Sequence, residues 1–152
     1  MHMIITKAYG SFPMNCHCCA PQRDYGGSPY VANMGQIATQ NTNFRTAVWT
    51  GDYFQMTLMH IPPCGEIGLE MHPDTDQLIR VEQGNAVVKM GNSKNQMEFQ
   101  QCAGKGDAIF VPAGTWHNII NVGRSPLKLS SIYAPPHHPK GTVHRTKSDA
   151  PQ

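Results

Sequence analysis

The most constraining feature of this 152-residue chain is the way its middle part breaks into short apolar runs. Between residues 44 and 133 these runs are rich in Val, Ile, Thr and aromatic residues, and turn formers such as Thr50-Gly51-Asp52 and Gly123 separate them. Such runs predict strands, and no stretch repeats its apolar residues with the 3.6-residue period of a helix. The predicted strands cover residues 44–49, 53–61, 67–72, 77–83, 85–90, 96–101, 108–111, 117–121 and 127–133. Many short strands at near-regular spacing are typical of an all-β sandwich or barrel.

Composition and charge indicate how the chain is organised and which class of partner is excluded. Charged residues form 14% of the chain, against a usual value of about 25%, while 14 Gly and 12 Pro favour tight turns. The formal net charge is +2 without a basic stripe, so we expect no nucleic-acid partner. We expect an irregular N-terminal arm over residues 1–43 with one short strand near Ile4, a β-barrel over 44–134, and a Pro/His-rich tail over 135–152.

Hydropathy and cysteine spacing bear on the compartment. No apolar segment reaches transmembrane length and the start lacks a signal sequence, so we expect a cytoplasmic protein without a membrane partner. The five cysteines are an odd number and suggest no disulfide framework. The Cys16-His17-Cys18-Cys19 cluster could be surface thiols or a metal or redox site. Adjacent residues rarely all reach one ion, which favours surface thiols.

One motif in the second half of the chain is strongly specific. Gly106-x5-Pro112-x-Gly114-x2-His117-x3-Asn121 resembles the second conserved motif of the cupin superfamily and matches all five of its fixed positions. Pro112 and Gly114 end one strand and turn the chain sharply. We therefore expect His117 to open the next strand and to face inward.

An upstream segment resembles the first cupin motif with three departures. It reads Gly65-x4-Glu70-x-His72-x4-Gln77-x6-Gly84. Glu70 stands where that motif has its first His, Gln77 stands where it has Glu, and the leading Gly is one residue closer. Residues two apart on a strand point to the same face, so Glu70 and His72 are expected to share one.

The resemblance covers about residues 44–134 and implies an antiparallel jelly-roll barrel, commonly a homodimer in small cupins, with the active site inside. It implies that Glu70, His72 and His117 hold one divalent transition metal ion. Gln77 would be a weaker, neutral ligand or a hydrogen-bond partner of bound water or substrate. One carboxylate and two imidazoles with open positions favour Fe(II), although Mn(II), Ni(II), Co(II) or Zn(II) also fit. A metal-free barrel is the alternative.

Three functions stay open for such a barrel. The first is a metal-dependent, oxygenase-like enzyme acting on a small polar organic molecule. The second is isomerisation of a sugar or sugar phosphate, since small cupins of this kind are often described as mannose-6-phosphate isomerase-like. The third is a non-catalytic barrel that binds a small ligand. A phosphate would need an inward cation, and strand parity turns Arg80 outward, so tail cations such as Arg145 are expected to serve.

Histidines outside the motifs leave further alternatives. His60 lies on an otherwise apolar strand face and is either a core residue or, like Glu70, a candidate acid or base of the pocket. The tail carries His137, His138 and His144 among prolines. It is either an extended, solvated segment, because Pro cannot continue a strand ladder, or a flap over the barrel mouth that supplies a His or Arg145 to the substrate.

Overall fold

A computed structural model describes residues 23–151 of the chain. This part forms one α-helix, α1 (Met34–Gln40), nine strands, and a 3-10 turn (Lys147–Asp149) near its end. The strands are β1 (Arg45–Thr50), β2 (Gln55–Ile61), β3 (Asp76–Gln83), β4 (Asn85–Gly91), β5 (Phe99–Gly104), β6 (Ala108–Val111), β7 (Trp116–Asn121), β8 (Leu127–Ala134) and β9 (Val143–His144).

The strands form two antiparallel sheets. Six strands pair in the order β6-β3-β8-β2-β1-β9, and three pair in the order β5-β4-β7. Neighbours in this order are often distant in sequence, which is the mark of a jelly-roll rather than of a simple meander. The predicted antiparallel all-β jelly-roll class is confirmed.

Alternation along the strands directs one face of the six-stranded sheet toward the three-stranded sheet. Val81, Leu129 and Met59 lie side by side in one row of this inner face, and each is 0–1% exposed. They belong to one apolar cluster with Val88 of β4 and Ile119 of β7. The hydrophobic core therefore lies between the two sheets.

The inner face becomes polar toward one end of the barrel. Gln55, Tyr133 and Gln77 form one cross-strand row, Thr57 and Ser131 lie in the next, and all five are buried. Within the described residues, Thr57 Oγ1, Gln77 Oε1 and Tyr133 Oη have no hydrogen-bond partner. Buried polar atoms are costly unless they are paired, so this end of the barrel is suited to a polar ligand.

Asn121, the last fixed position of the downstream motif, has a structural role. Its Nδ2 donates to the carbonyl oxygens of Ile61 and Ser125, both at 3.0 Å, and its Oδ1 accepts from the Gly123 N–H at 2.9 Å. These three bonds fasten the turn after β7 to the end of β2. The motif asparagine therefore holds two strands in place at the end of β7.

The helix α1 lies within the arm that we expected to be irregular. Its apolar residues Met34, Ile37 and Ala38 pack against Val48 and Leu58 on the outer face of the six-stranded sheet. Seven residues make fewer than two turns, so the chain shows too few apolar positions for a helical period to stand out. Tertiary packing stabilises this helix more than its own sequence does.

The predicted strand at residues 67–72 is not continuous. Gly68 has a φ of +106°, a left-handed conformation that interrupts regular pairing. The segment nevertheless runs antiparallel to β7, because the Glu70 N–H donates to the His117 carbonyl at 3.0 Å and the His117 N–H donates back at 2.9 Å. This backbone pair sets two of the predicted ligands beside each other.

Other expectations differ or lie outside the described residues. β5 begins at Phe99, three residues later than predicted, after a small turn closed by Ser93 and Gln96. The short strand near Ile4 and the cysteine cluster at residues 16–19 fall outside the described part of the chain. No helix between residues 23 and 151 is long and apolar enough to cross a membrane.

Candidate metal centre

The structure brings together the three residues predicted as metal ligands. His72 Nε2 lies 3.5 Å and His117 Nε2 lies 3.4 Å from Glu70 Oε1. One ligand atom from each residue lies within 4.8 Å of the other two. Both histidines are buried, while the Glu70 side chain is 26% exposed. The arrangement is a carboxylate and two imidazoles that converge from two separate segments.

Backbone contacts between the two motifs place these side chains. Besides the Glu70–His117 pair, the Gly114 N–H donates to the His72 carbonyl at 2.8 Å. Gly114 has a φ of +76°, which a residue with a side chain rarely adopts, so this motif glycine allows the turn into β7. The turn is closed by the Thr115 N–H, which donates to the Pro112 carbonyl at 3.1 Å.

The cluster fits a first-row transition ion. Glu70 Oε1, His72 Nε2 and His117 Nε2 are all buried without a hydrogen-bond partner in the described part of the chain. His117 Nδ1 lies 2.9 Å from the Thr115 carbonyl oxygen, a contact that requires the proton on Nδ1 and leaves the Nε2 lone pair facing the cluster. Ligands about 2.1 Å from an ion lie about 3.0–3.4 Å apart in octahedral or tetrahedral geometry, close to the two distances from Glu70.

Electrostatics keep Glu70 ionised. Burial alone would raise the pKa of this carboxyl. Protonated His117 and His72 rings, whose Nε2 protons a bound ion would replace, and the Arg45 guanidinium outweigh burial and hold the pKa well below its usual range. An ionised carboxylate is the form that coordinates a cation. The chain therefore presents a charged ligand before any ion arrives.

Gln77 lies in the polar row of the inner face. Its Nε2 donates to Ser131 Oγ at 2.9 Å, and its buried Oε1 has no partner among the described residues. The amide is thus oriented so that its acceptor oxygen is free for a ligand. Its assignment as a fourth, neutral metal ligand stays a prediction.

The segment 135–144, which we call the strap, covers this end of the barrel. The His137 ring lies 4.1 Å from the His72 ring between centroids, and the His138 ring lies 5.0 Å from that of Tyr133. Gln55 fixes the strap by donating to the His138 carbonyl at 2.8 Å and accepting from the His138 N–H at 2.9 Å. The strap therefore packs on residues beside the cluster although much of it, including His137, is exposed. That it acts as a flap which supplies a histidine or Arg145 to a substrate stays a prediction.

Burial sets the protonation of the strap histidines. It lowers the pKa of His138 to about 3, with the Arg45 charge acting in the same direction. The pKa of His137 is also lowered by burial, and next by the neighbouring His72. Both rings are therefore neutral near pH 7 and can accept hydrogen bonds from a polar ligand.

Sequence reasoning missed Arg45 and Tyr133. Arg45 is 3% exposed, lies on the inner face beside Met59, and has its Nη2 4.0 Å from Glu70 Oε2. Tyr133 is fully buried, its ring lies 5.7 Å from the His72 ring, and burial raises its pKa. The sequence could have indicated Arg45, because it is a charged residue at the start of a strand that is otherwise mostly apolar. The tyrosine carried no signal beyond its place at the end of a strand.

Other predicted residues lie away from the cluster. His60 lies on the outer face of β2 with Leu58, where Lys128 pairs with it across the strands. Its interpretation as an acid or base beside Glu70 therefore loses its geometric support. Arg80 is exposed, as parity predicted, but the expectation that only tail cations reach the pocket is corrected by Arg45.

The larger surface clefts do not mark this centre. Two clefts of about 380 and 410 Å³ lie along edge strands β5 and β6, where Phe99 and Phe110 line both. Their lining residues do not include the three converging ligands. The unpaired ligand atoms, rather than the size of a cleft, identify the site.

Comparison with known proteins agrees with this geometry. The cupin domain family matches residues 57–133. The chain is 57% identical over 128 residues to the uncharacterized protein YrkC of Bacillus subtilis (strain 168). The aligned region covers 84% of this chain and 69% of YrkC. The chain is 38% identical over 115 residues to the uncharacterized protein L612 of Acanthamoeba polyphaga mimivirus, covering 75% and 70%. The crystal structure of BH2720 from Bacillus halodurans aligns with a TM-score of 0.83 at 50% identity, over 84% of this chain and 96% of that one.

Proposed function

The chain belongs to the cupin family, and on that premise we propose that it is a metal-dependent, oxygenase-like enzyme acting on a small polar organic molecule. The observation that carries the proposal is the convergence of three buried, unpaired ligand atoms from Glu70, His72 and His117. A two-histidine, one-carboxylate set with open positions favours Fe(II) over Mn(II), Ni(II), Co(II) or Zn(II).

The described residues divide the work around this centre. Fe(II) held by Glu70, His72 and His117 would supply a Lewis acid and a redox partner for O₂. Reactions in which both atoms of O₂ enter the organic substrate balance without a separate reductant. Tyr133, His137 and His138 border the centre and offer one hydroxyl and two neutral rings that orient the substrate.

The reaction class is tested by oxygen uptake on Fe(II)-loaded protein with a panel of hydroxy acids, amino acids, thiols and phenols. We expect at least one compound to drive O₂ consumption that disappears when Fe(II) is replaced by Zn(II). Glu70→Ala should lose this activity, because the ion loses its charged ligand. Glu98→Ala, which removes an exposed carboxylate away from the three ligands, should keep it.

Isomerisation of a sugar phosphate is a second candidate, favoured by one observation. Arg45 supplies the inward cation that a phosphate group needs. Interconversion of an aldose and a ketose phosphate under argon, supported by Zn(II), would establish this function and overturn the oxygenase proposal. A protein that turns over nothing and is stabilised by one compound would be a binding barrel.

Substitutions of Gln77 test whether it faces the metal. Gln77→Glu should tighten Co(II) binding by about ten-fold or more, because a carboxylate replaces a neutral amide oxygen. Gln77→Ala should weaken binding less than loss of either histidine does. Both are measured by titrating the visible absorption of Co(II). Unchanged affinity in Gln77→Glu would show that the side chain at this position serves only its contact with Ser131.

A further inference from the structure

We propose that Arg45 is the anion-recognition residue of this site and that the substrate carries a carboxylate group, which the guanidinium binds beside the metal. This inference rests on the proposed function, because it concerns the ligand of the same centre. It starts from a cation that is buried on the inner face of the barrel, at 3% exposure, and has no charged partner at hydrogen-bonding distance among the described residues.

Contacts of Arg45 leave part of its hydrogen-bonding capacity unused. Its nearest carboxylate oxygen, Glu70 Oε2, is 4.0 Å from Nη2, beyond the length of a hydrogen bond. Its Nε–H is buried without a partner in the described part of the chain. A buried, unpaired guanidinium donor is costly, and an anionic oxygen is the partner that best offsets that cost.

The charge of the loaded site also favours an anion. Glu70 and Arg45 contribute one negative and one positive charge, so a divalent ion would leave the pocket with two positive charges. Repulsion between these positive charges is stronger in a pocket of low dielectric than in water, and a bound carboxylate would neutralise one of them. Two polar atoms around the pocket, Tyr133 Oη and His138 Nε2, are likewise buried without a hydrogen-bond partner among residues 23–151, and they can hydrogen-bond the rest of the substrate.

The shape of the donor group selects among anions. A guanidinium is planar, is charged at every working pH, and matches the two coplanar oxygens of a carboxylate. Arg45 also packs its guanidinium 5.4 Å from the Phe44 ring centroid, which restricts its orientation. A single oriented guanidinium can therefore pair with a carboxylate through two parallel N–H···O bonds, and a comparison with inorganic phosphate tests this choice of anion.

Lactate and lactamide, a matched anion and neutral amide, test the proposal on Co(II)-loaded protein. Wild-type protein should bind lactate at least about ten-fold more tightly than lactamide, measured by the change in the Co(II) visible spectrum and by calorimetry. Arg45→Gln should keep one Co(II) per chain and lose most of this preference, with lactate binding weakened about ten-fold or more. Arg45→Lys, which keeps the charge but not the planar fork, should fall between them.

Arg124→Gln is the control, since Arg124 is exposed in the turn between β7 and β8, and it should behave as wild type. The proposal would be overturned if a folded Arg45→Gln protein that holds Co(II) bound lactate as tightly as wild type does. It would also be overturned if wild type bound lactate and lactamide with equal affinity. Tighter binding of inorganic phosphate than of lactate would overturn the carboxylate assignment. Should wild type hold no Co(II), the proposed function fails, and calorimetry of lactate with the metal-free protein still decides the role of Arg45.

Discussion

Replacing His117 with alanine is expected to weaken Co(II) binding by about 100-fold or more. Substitutions beside a metal ligand commonly cost 10- to 100-fold, and loss of the ligand itself removes a whole bond to the ion. His117 is fully buried, and Thr115 holds its ring with Nε2 toward Glu70, so no exposed residue can take its place. His72→Ala should behave in the same way. The measurement is a competition titration against a chelator of known affinity.

His60→Ala is the matched control, because His60 is a histidine on the outer face of the six-stranded sheet, away from the three ligands. It should bind Co(II) as wild type does. A double variant, His72→Ala with His117→Ala, that retains a stoichiometric ion would show that the metal lies elsewhere. A loss of binding in His60→Ala equal to that in His117→Ala would show a general loss of structure rather than of a ligand.

Leu129→Ala should lower the free energy of unfolding by about 2–5 kcal/mol, the usual cost of truncating a buried leucine. Leu129 is 0% exposed in the row between Met59 and Val81, where three strands from distant parts of the chain pair, so the cavity has little room to collapse. Urea unfolding of the metal-free protein measures this without a contribution from the ion.

Leu69→Ala is the control for this substitution, since its side chain is 43% exposed. It should change the free energy of unfolding by less than about 0.5 kcal/mol. Equal effects of the two substitutions would place the core elsewhere. Leu129→Ala should still bind Co(II) while folded, because the ligands lie at the polar end of the inner face and not in the apolar rows.

The sequence alone was sufficient for the fold class and for the converging ligands. Short apolar runs with turn formers between them predict strands whatever the chain later packs against. A strand needs only side chains that alternate between its two faces, and this alternation is visible in the sequence. The motif that contains His117 specifies a turn through Gly114, which has the positive φ that this turn requires. The upstream motif departs from the family pattern at Glu70, yet the Glu70 side chain still meets His117, because backbone hydrogen bonds pair these two residues.

The remaining features depend on contacts between distant segments. The helix α1 is too short to show a period, and it forms because the outer face of the sheet needs cover. The strap packs on Tyr133 through His137 and His138, although its sequence alone resembles a proline-rich tail. Arg45 reads as a strand residue, and only the pairing of β1 with β2 and β9 turns it toward Glu70.

Assembly and location stay predictions. The homodimer and the cytoplasmic location are expectations that the described residues 23–151 do not test, and the cysteine cluster at residues 16–19 lies outside them. Each bears on how the barrel is used in the cell. None bears on whether the three ligand atoms hold an ion.

Elemental analysis of the purified, untagged protein tests the central claim most directly. Because Glu70, His72 and His117 present three buried, unpaired ligand atoms to one point, the account predicts close to one first-row transition ion per chain. Protein reconstituted with Fe(II) under argon and passed through a desalting column should reach the same ratio. A folded protein that carries no ion as purified and takes up none on reconstitution would contradict the account.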